Sequence, residues 1–384
     1  MGDEQRLSPE EQLRSAREGF ENGSDLTIAV EEEFALLDPE THSLVNRFEE
    51  IQAAAQGTVL EPHLVGELIA SEVEVRTGKC EDLDEALRLL GERREQLDSL
   101  AFELGLALGA AGTHPWSPWQ EQRIIDTPHY RRNDELLRYV VWRNNSFGLH
   151  VHLGVAGADR AIALHDALRV WLPDLLALSA SSPFVEAVNS GLHSARTEIF
   201  TRMFPRCGVP DPYGTWQVFE DYVRFLYDTG SVTEHTQLWW SVRPHLAFPT
   251  IELRICDAQP DLEDARALVS LVYSLAGRIL RAVDEGETLP APPPRLIEEN
   301  MWRAIRYGLS GELIELGTGR VRSARDALAE LAEWAEADFE VPGANSAERQ
   351  IAALQEGATI QEVFAAEAVR RPVALRTELD EARG

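Results

Sequence analysis

The stretch Thr27-Ile28-Ala29-Val30-Glu31-Glu32-Glu33-Phe34-Ala35-Leu36-Leu37 reads as a strand with two opposed faces. Side chains alternate across a strand, so residues i and i+2 share a side. Thr27, Ala29, Glu31, Glu33 and Ala35 line up on one side, against Ile28, Val30, Phe34 and Leu36 on the other. Three further segments repeat the pattern. Within Leu68–Thr77, Glu72, Glu74 and Arg76 oppose Val73 and Val75. Within Phe147–Val155, Gly148, His150, His152 and Gly154 oppose Leu149, Val151 and Leu153. Within Thr250–Cys256, Thr250, Glu252 and Arg254 oppose Ile251, Leu253 and Ile255. Gathered in one sheet, the four strands would present a face rich in carboxylate and imidazole. Such a face repels itself unless cations sit on it, and that predicts a divalent-metal site.

The spacing suits the chemistry. Glu31 and Glu33 emerge roughly 7 Å apart along one strand face. Paired metal ions sit about 4 Å apart and, when hard, take oxygen ligands. Glu32 points the other way and reads as a paired or edge carboxylate. Glu72 and Glu74 repeat the geometry, with Arg76 able to neutralise one of them. The glycines beside His150 and His152 leave room for a ligand. Glu252 adds a carboxylate, and Arg254 adds a planar fork that matches phosphate oxygens. Each segment alone also fits a plainer arrangement: a solvated acidic face, a hydrogen-bonded histidine pair, a cross-strand ion pair. The shared phase of all four favours the metal reading.

Bulk composition narrows the function classes. With 384 residues, 44% hydrophobic and 26% charged, the chain can bury a large core and is not a disordered polymer. A net charge of −29 argues against non-specific binding to nucleic acid or to an anionic membrane surface. Any anionic substrate then needs a local cationic patch or a metal. Lys79 is the one lysine among the 36 basic residues. Gly78-Lys79-Cys80 lacks the glycine and Ser/Thr pattern of a phosphate-binding loop, so phosphate contacts must come from arginine and metal. The three cysteines are widely spaced and form no zinc pattern or disulfide framework. Residues 1–24 lack the apolar core of a signal peptide, and no run reaches the ~18 apolar residues of a membrane helix. A cytoplasmic protein is the expectation.

Along the chain, residues 1–24 read as a polar extension with a short helix from Ser8, and residues 25–384 as a single domain. Asp82 is placed to cap a helix reaching about Ala110. Helices are further expected over about 46–56, 127–145, 159–181 and 215–229. Residues 183–214, rich in Pro and Gly, read as loop. The C-terminal portion, about 261–384, reads as helical, with a Pro290–Pro294 linker. Strands dispersed among long helices indicate an α+β fold. Clean alternation, rather than the continuous apolar runs of buried parallel strands, predicts a mainly antiparallel sheet. Helices would cover its apolar face, leaving a cleft on the other. Trp239 and Trp240 read as core.

Taken together, the segments resemble the carboxylate–amine ligase family that includes type 2 glutamate–cysteine ligases. The resemblance rests on Val30-Glu31-Glu32-Glu33-Phe34, Glu72-Val73-Glu74-Val75-Arg76-Thr77-Gly78, Gly112-Thr113-His114-Pro115-Trp116 and Gly148-Leu149-His150-Val151-His152-Leu153-Gly154. It continues through Leu178–Phe184, Trp239–His245, Thr250–Ile255 and Glu299–Gly308, in order. Ala29 stands where the family often has glycine.

The resemblance implies a glutamine-synthetase-like fold, with a curved antiparallel sheet whose concave face binds ATP and magnesium, or manganese in its place. It would make Glu31, Glu33, Glu74, His150 and Glu252 metal ligands or their close neighbours. Arg254, beside the catalytic Glu252, would contact ATP phosphate, and Arg196 and Arg306 would contact substrate or phosphate. It implies ATP-dependent amide formation between a carboxylate, typically that of glutamate, and an amino acid or amine such as cysteine, by a homodimer. Two rivals use the same face: a metal-dependent hydrolase of γ-glutamyl amides, and a non-catalytic binder of nucleotide or metal.

Overall fold

The computed structural model describes residues 8–370. The start of the polar extension and the end of the C-terminal portion therefore lie outside the described residues. Ser8 caps a helix over Pro9–Glu21, its hydroxyl and the Glu11 carboxylate satisfying each other's backbone N–H. That helix buries Leu13, Ala16 and Phe20 in the main core.

Five strands organise the site: β1 (Ile28–Leu37), β2 (Leu64–Val65), β3 (Glu72–Arg76), β4 (Ala107–Gly109) and β5 (Gly148–Gly154). They belong to an eight-stranded sheet completed by Val242–Pro244, Thr250–Asp257 and Val369–Arg370. The order runs Val242–Pro244, Thr250–Asp257, β5, β1, β3, β2, and every pairing within it is antiparallel. β4 pairs with the end of β1 and with Val369–Arg370. The long β1 thus touches β3, β4 and β5, and all four segments singled out from their alternation lie side by side.

The apolar side chains of the strands point into the core as expected. Val30, Leu149, Val151, Leu153, Ile251 and Leu253 are buried in one cluster with the helices Ala158–Leu168 and Leu262–Asp284. Phe34, Val73 and Val75 join Leu97 and Ala101 of the helix Leu83–Glu103 in a second cluster. Glu32 emerges on this apolar side and is paired: Arg94 Nε donates to its Oε2 at 2.7 Å, Nη2 reaches its Oε1, and Nη2 also reaches the Gln259 carbonyl at 3.0 Å.

Several boundaries differ from the sequence expectation. The helix capped by Asp82 stops at Glu103 instead of near Ala110, because Ala107–Gly109 is recruited as β4. The stretch read as loop over 183–214 holds the helix Ala195–Met203, capped by Ser194. The helix expected over 159–181 breaks into Ala158–Leu168 and Leu172–Ser179, with Pro173 opening the second piece. Among its described residues the C-terminal portion carries five α-helices, but also a Glu312–Ile314/Val321–Ser323 hairpin and the short strand Val369–Arg370. Among the described residues no helix is long and apolar enough to cross a membrane.

Candidate active site

The registers set out the polar face row by row. Arg243 lies opposite Glu252, and Glu252 opposite His152. Glu31 is flanked by His150 on one side and Arg76 on the other. Glu33 sits directly opposite Glu74. The side chains of these rows line one cleft of about 480 Å³, together with Glu67, Glu72, Arg196 and Arg254. Six carboxyls meet four guanidiniums there, so the cleft keeps an excess of acid.

Two groups of ligand atoms stand out among the described residues. Glu31, Glu74 and His150 bring one donor atom each within 4.8 Å of one another, and Glu31, His152 and Glu252 do the same. Glu31 is common to both. His150 Nδ1 and His152 Nε2 are buried with no hydrogen-bond partner, each 3.5 Å from Glu31 Oε2. Carboxylate oxygens suit Mg²⁺ or Mn²⁺, and the ring nitrogens without a hydrogen-bond partner are placed to face a cation. The residues present therefore accommodate the metal that the sequence pattern implied. Glu33 stands beside the first group, 3.7 Å from His150 Nε2, and accepts the Gly148 N–H.

Electrostatics divides the face in two. Burial pushes the Glu72 carboxyl well above the usual range, helped by the charges of Glu33 and Glu67. Burial likewise raises Glu74, helped by Glu31 and Glu67. Burial and the Glu33 charge push Glu67 up to about 7. Burial and like charge thus favour the protonated form of these three acids, and a bound cation would compete with those protons. At the other end, burial would raise Glu252, but Arg243 and Arg254 hold it well below the carboxylate range. Arg243 Nε donates to Glu252 Oε2 at 2.7 Å, and Arg254 Nη1 reaches Oε1. Glu31 is also held low: burial would raise it, but the nearby imidazoles of His150 and His152 and the Arg76 guanidinium outweigh that.

The structure brings together Glu31, Glu33, Glu74, His150, Glu252, Arg254 and Arg196. Arg306 is not among the residues lining the cleft: its Nη1 donates to the Gly191 carbonyl and its guanidinium stacks on Tyr307. Trp239 packs edge-on against Phe204 and also borders the cleft. Sequence reasoning passed over Glu67 and Arg243. Glu67 lies in a loop with no alternation to mark it. Arg243 lies in a strand too short to show a period, although the Trp239–His245 motif contains it.

The cleft is walled by the helix Pro128–Leu137 and the turn that follows it. Tyr130 donates to the Gly66 carbonyl at 2.7 Å. His129 and Arg132 both reach Glu234, at 2.7 and 3.1 Å. The Gly112–Trp116 motif lies outside the cleft and is structural. His114 accepts the Ser117 N–H at Nδ1 and meets the His42 carbonyl at Nε2, each at 2.9 Å.

The chain is similar to several known proteins. A provisionally named glutamate–cysteine ligase 2-2 of Rubrobacter xylanophilus is 38% identical over 339 residues, 88% of this chain and 85% of that protein. A provisionally named glutamate–cysteine ligase 2 of Sorangium cellulosum is 40% identical over 342 residues, 88% of this chain and 91% of its own. The crystal structure of glutamate–cysteine ligase from Francisella tularensis, in complex with AMP, superposes with a TM-score of 0.64. That match covers 90% of this chain and 88% of the other at 11% identity, a likeness of fold. The model of glutamate–cysteine ligase family 2 matches residues 27–367, and the chain belongs to that family.

Proposed function

We propose that the protein is an ATP-dependent ligase that joins the γ-carboxylate of glutamate to an amine, with cysteine the first candidate. The observation that carries this reading is the pair of cation-ready groups sharing Glu31, with Arg254 beside them on the same face. A phosphoryl group in transit needs its charge neutralised and its oxygens oriented. Magnesium, or manganese in its place, would be held by Glu31, Glu74 and His150 and by Glu31, His152 and Glu252, with Glu33 alongside. When bound it supplies charge neutralisation to phosphate oxygens.

The chain's own groups do the rest. Arg254, anchored on Glu252, presents its remaining guanidinium donors to the transferring phosphoryl group. Arg243 keeps Glu252 ionised and fixed. Arg196 offers a second cation at the Gly148 side. The helix Pro128–Leu137 and Trp239 limit water, which would otherwise hydrolyse an activated acyl group. In the reaction a carboxylate oxygen attacks the γ-phosphorus of ATP and ADP leaves. The amine then attacks the acyl carbon, its proton is lost, and phosphate leaves with the carboxylate oxygen.

Isotope transfer tests this directly. Glutamate carrying ¹⁸O in its γ-carboxylate should deliver one ¹⁸O into inorganic phosphate per amide formed. Amide formation with unlabelled phosphate would rule the acyl phosphate out. The hydrolase reading has less support, because it leaves the arginines of the cleft without a task. A cytoplasmic location and a homodimer belong to the proposal; the dimer rests on the motif resemblance, and light scattering on the purified protein tests it.

A further inference from the structure

The strand Thr250–Asp257 does not keep its alternation. It pairs regularly with β5 from Thr250 to Leu253, and the register then shifts before Cys256. Ile255 and Cys256 are both buried in the apolar cluster, and Asp257 lands opposite Gly148. A bulge of this kind re-aims the side chains beyond it. Unbroken alternation would have put Cys256 on the polar side and Asp257 in the core.

Asp257 arrives fully buried, in a seat assembled by two motifs outside the metal groups. Its Oδ2 accepts from the Ser181 N–H at 3.0 Å and the Ser182 hydroxyl at 2.7 Å, and its Oδ1 from the Ser194 hydroxyl at 2.9 Å. A Cβ on Gly112 would lie 2.6 Å from the carboxylate, so glycine there makes the approach possible. Arg196 Nη1 stands 3.7 Å from Oδ1. The guanidinium is further fixed by the carbonyls of Ile255, at 3.2 Å, and Arg254, at 3.3 Å. It lies directly over Gly148, where a Cβ would collide with Nη2. A guanidinium has five N–H donors, so the two carbonyls leave others unused at the edge of the cleft.

We propose that Asp257 is a positioning residue: turned onto the polar face by the bulge, it seats Arg196 over Gly148 as a donor to an anionic oxygen of the reactants. That oxygen belongs to the carboxylate substrate or to a phosphate, and the inference rests on the proposed ligase reading for its turnover arm. Asp257 is the one fixed anion facing the Arg196 guanidinium at ion-pair range among the interactions described. Removing its charge leaves the cation with carbonyls alone.

The test is a double-mutant cycle on the full-length protein, read in KM for glutamate, KM for ATP and kcat. Arg196→Ala should raise one of the two KM values about tenfold or more. Asp257→Asn should raise the same KM while kcat stays within about threefold, with Asp257→Glu partly restoring it. Whichever KM moves identifies the source of the anionic oxygen. The double variant should be no worse than Arg196→Ala, because the two residues act as one unit. Effects that multiply, or an Asp257→Asn variant with both KM values unchanged, overturn the proposal. If Asp257→Asn does not fold, Ser182→Ala and Ser194→Ala decide: each removes a hydroxyl that holds the Asp257 carboxylate and should raise the same KM, and no change in either overturns the proposal. Calorimetric titration of glutamate and of inorganic phosphate gives a readout independent of turnover. Wild type that binds either probe, with the same coupling between variants, yet forms no amide sinks the ligase reading and leaves the seat standing. Wild type that turns over while Asp257→Asn is silent does the reverse.

Discussion

Glu33 and Glu74 face each other directly across the antiparallel β1–β3 pair, two carboxylates where a sheet ordinarily sets neutral or opposite-charge partners. Arg76 Nε reaches Glu74 Oε1 at 2.5 Å, and a cation would supply the counter-charge that this one guanidinium leaves short. Metal-free protein should therefore gain stability from Mg²⁺, by about 2.7 kcal/mol at a hundredfold excess over Kd. Glu74→Gln should raise the thermal midpoint of the metal-free protein and abolish most of the Mg²⁺ response. A variant that keeps the full response would remove Glu74 from the cation site.

The shared ligand gives a sharper expectation. Glu31 belongs to both candidate cation groups, whereas Glu252 belongs to one. Glu31→Gln and Glu252→Gln should each lower ATP turnover by at least about 100-fold with the fold intact by circular dichroism. Arg254→Lys should be comparably severe, since lysine keeps the charge and loses the fork. Near-normal turnover in any of the three would remove that residue from the chemistry.

On the opposite face, Glu32 and Arg94 form a buried pair, their side chains 2% and 1% exposed. Glu32→Gln leaves Arg94 charged and under-paired in the core. It should cost about 3–5 kcal/mol in urea unfolding without a direct effect on the cleft. A loss below about 1 kcal/mol would mean that Arg94 finds other partners.

Asp174 offers a pH test away from the site. It is buried in the helix Leu172–Ser179, and burial pushes its carboxyl up to about 7, opposed by the charge of Arg322. The folded state then binds this proton more tightly than the unfolded chain does. Stability should fall as pH rises from about 4, the unfolded value, to about 7, and the cost is fully present above that. The penalty is on the order of 4 kcal/mol. Asp174→Asn should be more stable than wild type at pH 8 and lose that advantage near pH 5. Parallel pH curves for the two proteins would contradict this.

The polar face was legible in the sequence because its strands keep period two: Glu31/Glu33, Glu72/Glu74, His150/His152 and Glu252/Arg254 each reveal a face without knowledge of the partner strand. The register that puts Glu33 against Glu74 was not legible, since it depends on how β1 and β3 meet. Asp257 was hidden for a different reason. A bulge shifts the phase of its strand, and a parity argument then assigns it to the wrong face. Glu67 and Arg243 sit where no period exists to read. The loop expectation for 183–214 failed because Pro and Gly mark the ends of a segment, whereas Ser194 caps a helix within it. Arg306 came from motif resemblance alone, and the structure instead ties it to Gly191.

The central claim is tested most directly by phosphate release from Mg·ATP on purified protein, with glutamate and a panel of amines that includes cysteine, recording product masses. The account predicts phosphate release that requires both a carboxylate and an amine, with a product of amide mass. Cleavage of γ-glutamyl amides without ATP, or the absence of ATP binding, would contradict it.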